Sequence, residues 1–305
     1  MAGCCHLPAA RSPRSAQIVP ASICEQVAYT RCNPLACTES NLLVTARYTV
    51  RRVVMPSASS LAWTNRALAL DCYAPATSNK VPAILILPIL GGEYPLENHF
   101  ARYFARHGMA AVIVRRDKML RPERIEDINA ALRHAAIDAR QALDWIESRP
   151  ELDASRIGMF GVSMGGIRGA FLLPIEPRIR AAVLGLAGGD LPWILKHSEE
   201  PGIKRRRPAL LKQAGIAEED LEEHLRASIT CDPLSVASAV DPRKVLLVLA
   251  ACDTAVPVKK GWELRKAMGK PETLLFPTGH YTTLLFVPYI RSQCLKFFRE
   301  RFAAP

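Results

Sequence analysis

The chain has 305 residues, 49% of them hydrophobic and 23% charged, which supplies a sizeable core and excludes a disordered or fibrous protein. Its formal net charge is +11. The arginines are scattered and no basic stretch is interleaved with stacking aromatics, so nucleic-acid binding is not expected and attraction to an anionic surface fits better.

Residues 1–44 mix Pro, Ser, Ala and Cys with little periodicity and predict an extended or poorly ordered leader ahead of a domain over 45–305. Met1-Ala2-Gly3-Cys4 lacks the charged and apolar regions of a signal peptide, but Ala-Gly-Cys resembles the end of a bacterial lipoprotein cleavage box. One reading is a true start upstream, with Cys4 lipidated and the protein held at the cell envelope. The other is a chance match in a cytoplasmic protein. Cys24, Cys32 and Cys37 crowd into the same segment without a metal-type Cys-x-x-Cys pattern, and a disulfide and unpaired thiols both fit.

Tyr48 to Met55 and Arg66 to Tyr73 are β-rich and partly alternating, as in a half-exposed antiparallel pair joined by a Ser-rich turn. Ala83 to Leu87 lies in the longest apolar stretch, around Val81 to Leu90, which is the length of a strand covered on both faces and short of the ~18 residues of a spanning helix. Strand and helix patterns then alternate: helix Asn98 to His107, strand Ala110 to Val114, helix Ile125 to Ser148, strand Ile157 to Phe160, a helix opening at Met164, and strand Ala181 to Leu186. Such alternation predicts an α/β fold with a mainly parallel central sheet and helices on both faces.

Residues 190–240 interrupt the pattern with helices near Arg207 to Ala214 and Glu218 to Ala227, an insertion placed to act as a helical lid. Strand Lys244 to Ala250, helix Lys259 to Met268, strand Thr273 to Phe276 and a closing helix from about Phe286 to Phe302 complete the domain.

Chemistry concentrates at Gly161-Val162-Ser163-Met164-Gly165, where an apolar strand runs into a helix. A nucleophile on such a turn needs small residues two before and two after it, and the helix N-terminus beyond it offers N–H groups to a developing oxyanion. A serine hydroxyl also needs a base, and the base needs an acid to fix its tautomer. Asp253 follows a buried-type strand, and His280 follows the next short strand in Pro277-Thr278-Gly279-His280. The order is serine, acid, histidine.

With those three motifs in that order, residues 48 to 302 resemble the α/β-hydrolase superfamily, and within it the dienelactone-hydrolase and acyl-esterase-like branch with a serine nucleophile. The resemblance implies hydrolysis of a small-molecule ester through an acyl-enzyme, with Ser163, His280 and Asp253 as a triad and neither metal nor organic cofactor. It extends equally to a thioester or peptide bond, or to a silent fold that only binds a ligand. It also implies an oxyanion hole made by Met164 N–H and, from Pro88-Ile89-Leu90-Gly91-Gly92, by Leu90 N–H, with Ile89 as the alternative because the family's His-Gly is missing here.

Several residues carry rival readings. Asp190 is the alternative acid, or else a helix cap; Asp232 and Asp241 precede prolines and read as turn formers. Cys252 reads as a small buried residue. Lys204 to Arg207 reads as a solvated face or an anion site, and Leu191, Trp193 and Ile194 either line an acyl pocket or pack the insertion on the core.

Overall fold

In the computed structural model, which describes residues 4–10, 17–32, 35–59, 67–90, 94–115 and 123–303, the early residues join the sheet, contrary to the expected leader. β1 (Cys5–Leu7) pairs antiparallel with the last strand of the sheet, and β2 (Thr38–Val44) pairs antiparallel with the strand that follows it. Between them, α1 (Ala21–Gln26) buries Ile23, and Val27 enters the core beside it. The side chains of β2 are exposed throughout. A strand held by its neighbour's backbone at a sheet edge needs no apolar alternation, so it leaves little trace in the sequence.

β3 (Tyr48–Pro56) and β4 (Ala67–Pro75) form the expected antiparallel pair, and part of the Ser-rich connection between them lies outside the described residues. Next come β5 (Val81–Leu87), α2 (Pro95–Arg106), β6 (Ala110–Arg115), α3 (Ile125–Ser148), β7 (Leu152–Val162), α4 (Met164–Leu172) and β8 (Ile179–Gly185). The insertion supplies α5 (Leu191–His197), α6 (Pro201–Ala214) and α7 (Leu221–Ser228). The chain closes with β9 (Val245–Ala250), α8 (Val258–Ala267), β10 (Glu272–Phe276), a 3-10 turn Thr282–Phe286 and α9 (Val287–Ala303).

The strands lie in the order β1-β10-β9-β8-β7-β5-β6-β4-β3-β2, parallel from β10 to β6 and antiparallel at both edges. From β5 the chain moves outward to β6, then crosses back to place β7, β8, β9 and β10 on the other side of β5. Connections therefore diverge between β5 and β7, opening a crevice at their carboxyl ends where ligands of open α/β sheets bind.

Each central strand serves two cores. Ala83, Leu85 and Leu87 face one with α3 and α4, while Ile84 and Ile86 face the other with α2 and α9. Cover on both sides explains the unbroken apolar run of β5. On the α2 and α9 side, Phe160 packs against Phe100 at 4.3 Å between ring centroids and against Phe104 at 6.0 Å. These rings are fully buried, so the strand that ends two residues later at Val162, just before Ser163, rests on a close-packed base.

Candidate active site

Ser163 occupies the turn between β7 and α4 with φ 55° and ψ −122°, a strained conformation for a residue with a side chain. Its N–H donates to Gly185 O at 2.8 Å and its carbonyl accepts from Ile167 N–H at 2.9 Å, which hold it there. The flanking glycines are required by contact. A Cβ at Gly161 would lie 2.3 Å from Gly165 O, and one at Gly165 would lie 2.3 Å from Leu87 O.

The turn brings together the three residues singled out in the sequence. His280 Nε2 lies 3.0 Å from Ser163 Oγ, and His280 Nδ1 lies 2.8 Å from Asp253 Oδ2. Asp253 is buried, and its Oδ1 accepts from the N–H groups of Ala255 at 3.0 Å and Val256 at 2.9 Å. With Nδ1–H donating to the carboxylate, the Nε2 lone pair faces the hydroxyl, the tautomer that can take its proton. Two backbone bonds, Ala251 N–H to Phe276 O at 2.8 Å and Cys252 N–H to Thr278 O at 2.9 Å, tie the acid loop to the histidine loop. Cys252 itself is exposed, not buried as expected, because it sits on the turn after β9.

Met164 opens α4, where the first N–H groups of a helix have no intrahelical acceptor. The contact between Gly165 and Leu87 O sets the segment leaving β5 against this first turn. Within that segment Ile89 N–H is engaged, donating to Glu97 Oε1 at 2.7 Å, so it is not the alternative donor. Leu90 is half-buried against the core beside it, and Gly91 and Gly92 lie outside the described residues. Glu97, in the first turn of α2, is 2% exposed. Burial pushes its carboxyl above the usual range, against the pull of the Ile89 hydrogen bond. Sequence reasoning missed Glu97, because an acid in a helix's first turn is ordinary there and its partner is a backbone group.

The rival residues sort by their contacts. Asp190 accepts from Lys260 Nζ at 2.8 Å and pairs with Arg226 of α7 at 2.9 Å, so it braces the insertion while Asp253 holds the imidazole. At the cap position of α5 its side chain makes no capping bond. Asp232 accepts from Leu234 N–H and Asp241 from Arg243 N–H, both closing turns. Trp193 stacks on His197 with Lys259 Nζ 3.7 Å from its ring, and Leu191 and Ile194 are buried, so this part of the insertion packs on the core. Lys204 pairs with Glu199 and Arg207 donates to the carbonyls of Leu195 and Ser198, so two residues of the basic run bond within the insertion. All nine cysteines are free.

The junction of α5 and α6 lies on the catalytic loops: Ser198 Oγ donates to Ala255 O at 2.6 Å and Glu199 N–H to Thr254 O at 2.9 Å. Beside His280, an apolar pocket of about 40 Å³ is walled by Phe160, Val162, Leu186, Leu284 and Val287 among others.

No family model matches the chain. Two uncharacterized proteins of Mycobacterium tuberculosis, from strains CDC 1551 / Oshkosh and ATCC 25618 / H37Rv, are each 28% identical over 160 residues, covering 51% of this chain. The match takes in 35% of their length, so the chain answers to about a third of the curated relatives it resembles. Among solved structures, an acetyl xylan esterase from Paenibacillus sp. R4 superposes with a TM-score of 0.68 at 17% identity over 92% of this chain and 91% of that one. Acetyl xylan esterase 1 from Thermoanaerobacterium sp. JW/SL YS485 gives 0.65 at 16% identity, covering 94% and 96%. The α/β hydrolase GrgF from Penicillium sp. sh18 gives 0.56 at 17% identity, covering 88% and 100%. Sheet order, crevice and these superpositions agree: the chain has the α/β-hydrolase fold.

Proposed function

We propose that the protein is a serine hydrolase that cleaves a carboxylic ester through an acyl-enzyme, with Ser163, His280 and Asp253 as its triad. The observation that carries this reading is the unbroken relay Ser163 Oγ to His280 Nε2, then His280 Nδ1 to Asp253 Oδ2, at 3.0 and 2.8 Å, on the crevice side of the sheet. Esterases among the structural neighbours agree with it.

In this reading Ser163 Oγ attacks the ester carbonyl as His280 Nε2 takes its proton, and the N–H groups of Met164 and Leu90 receive the oxyanion. Expulsion of the alcohol, protonated by His280, leaves the acyl group on Ser163. Water then attacks in the same sense, giving up a proton to His280, and the carboxylic acid departs. Asp253 keeps the imidazole oriented and stabilises its charged form throughout. The strained turn at Ser163 keeps the hydroxyl in place before substrate arrives, so little reorganisation is needed in the transition state.

The pocket beside His280 indicates a short acyl group. Its 40 Å³ is about three times the minimum that holds one water, room for an acetyl or propionyl tail, while a longer chain would have to extend out through the open side. Labelling by a fluorophosphonate probe, lost in Ser163→Ala, tests the mechanism. A chromogenic ester series from acetyl to dodecanoyl tests the pocket, with the highest kcat/KM expected at the short end. Well-folded protein that neither labels nor hydrolyses any member would refute the proposal.

A further inference from the structure

A second feature stands apart from the crevice. Along the outward side of α2 runs an open cleft of about 510 Å³, lined by Arg47 from the turn between β2 and β3, by His99, Arg102, Arg106 and His107 of α2 and its C-terminus, and by Arg291 of α9. Among the described residues its lining holds no carboxylate. α2 carries one acidic residue, Glu97, and that side chain is buried against Ile89. On the neighbouring antiparallel strands arginines are matched: Arg51 pairs with Glu39 and Glu151, and Arg52 and Arg115 pair with Asp71.

Like charges gathered without counter-charges repel, and they persist at a cost that a bound anion would remove. The helix dipole accounts for Arg106 and His107, at the C-terminal end of α2. It does not account for Arg102 in mid-helix, or for Arg291, the fifth residue of α9, since the effect falls off within the first and last turns. Nor are these side chains loosely placed. The Arg291 guanidinium stacks 4.7 Å from the Tyr103 ring centroid and donates to His99 Nε2 at 3.3 Å, and the Arg106 guanidinium lies 5.8 Å from the Tyr48 ring centroid. Cation–π attraction of this kind holds the guanidinium over the ring while leaving it charged, and a charged guanidinium can grip phosphate oxygens in pairs. Burial, then the charges of Arg291 and Arg102, hold His99 below the usual imidazole range, so it meets Arg291 as a neutral acceptor.

We infer that the cleft between α2 and α9 is a binding site for a phosphate-bearing anion, built by Arg47, Arg102, Arg106 and Arg291. α2 spans twelve residues, about 18 Å, so the cleft suits a ligand with more than one charge, such as a pyrophosphate group or several headgroups at a surface. The inference does not depend on the serine mechanism, because none of the cleft residues belongs to the relay.

The test uses the whole protein, Arg102→Gln/Arg291→Gln, and a control, Arg205→Gln/Lys212→Gln, that removes the same charge from exposed α6. Calorimetry with pyrophosphate at fixed ionic strength is one arm. Co-sedimentation with phosphatidylglycerol vesicles, against phosphatidylcholine vesicles, is the other. Binding in either arm should weaken by about tenfold or more in the cleft variant and stay unchanged in the control. The responding arm identifies the source, a soluble phosphate compound or a lipid headgroup. Circular dichroism and thermal melting, unchanged in both variants, report that the fold is intact. Equal weakening in the control, or no wild-type binding in either arm, would overturn the site.

Discussion

The carbonyl oxygen of Leu87 fills the place where any residue other than glycine at 165 would put its Cβ, at a would-be separation of 2.3 Å. Gly165→Ala must therefore shift either the segment leaving β5 or the first turn of α4, and the proposed oxyanion donors ride on both. Turnover should fall by about 10²-fold while KM moves little and far-ultraviolet circular dichroism is preserved. Wild-type kcat in a folded Gly165→Ala protein would show that the contact does not position the site.

Asp253 Oδ2 is the acceptor that fixes the His280 tautomer. Asp253→Asn retains the shape but offers an amide that also satisfies the other tautomer, so kcat should drop by about 10³- to 10⁴-fold with stability near wild type. Steady-state kinetics on the chromogenic ester that wild type turns over fastest decide the matter. A loss smaller than about tenfold would remove Asp253 from the mechanism.

Glu97 holds the loop after β5 through Ile89 N–H, and its two obvious variants should part company. Glu97→Gln retains an acceptor and most of the activity. Glu97→Ala strands a buried N–H, at about 1 to 3 kcal/mol, and frees the loop, so kcat should fall by about tenfold or more. The pH dependence has a defined sign. Burial raises the folded pKa above the unfolded 4.5, so what the carboxyl contributes is present below 4.5 and is lost as pH rises through the folded value. Urea unfolding should then show Glu97→Gln gaining on wild type between pH 4.5 and neutrality; parallel curves would contradict the assignment.

At Asp190 the sign reverses. Burial alone would raise this carboxyl, but hydrogen bonds from Arg226 and Lys260 override it and hold the carboxyl below its ordinary 3.8. Its contribution is therefore present above 3.8 and fades as pH falls through the lower folded value. Asp190→Asn should be less stable than wild type at neutral pH, and the gap should close in strong acid. Limited proteolysis should cut within α5 to α7 sooner in the variant, since this side chain joins Arg226 of α7 to Lys260 of α8. Identical digestion patterns would argue that the insertion is anchored elsewhere.

Legibility followed burial. α3 runs over Ile125–Ser148 as its stripe of Leu132, Ala135, Ala139, Leu143 and Ile146 indicates, with Ala135 half-buried and the other four in the core, and the central strands lie where the apolar runs are, because two packed faces demand them. Elements held by backbone pairing and a few surface ion pairs, β1 and β2, were invisible because no apolar period marks them. The serine, acid and histidine could be located by motif and chain order, since a strained turn and two loops at strand ends restrict which residues fit. Glu97 and the grip of Asp190 on α7 and α8 could not, because each joins groups whose approach depends on helix packing, and nothing in local spacing announces it.

The exposed thiol of Cys252, one residue from Asp253, complicates a common diagnostic. An alkylating agent such as iodoacetamide would attach its adduct to a residue whose backbone N–H bonds Thr278 O, on the loop pair that joins acid to imidazole. Inhibition by such a reagent would then report the neighbourhood of a sulfur atom, not a sulfur nucleophile, and cysteine-directed inactivation is a poor guide to the chemistry of this protein.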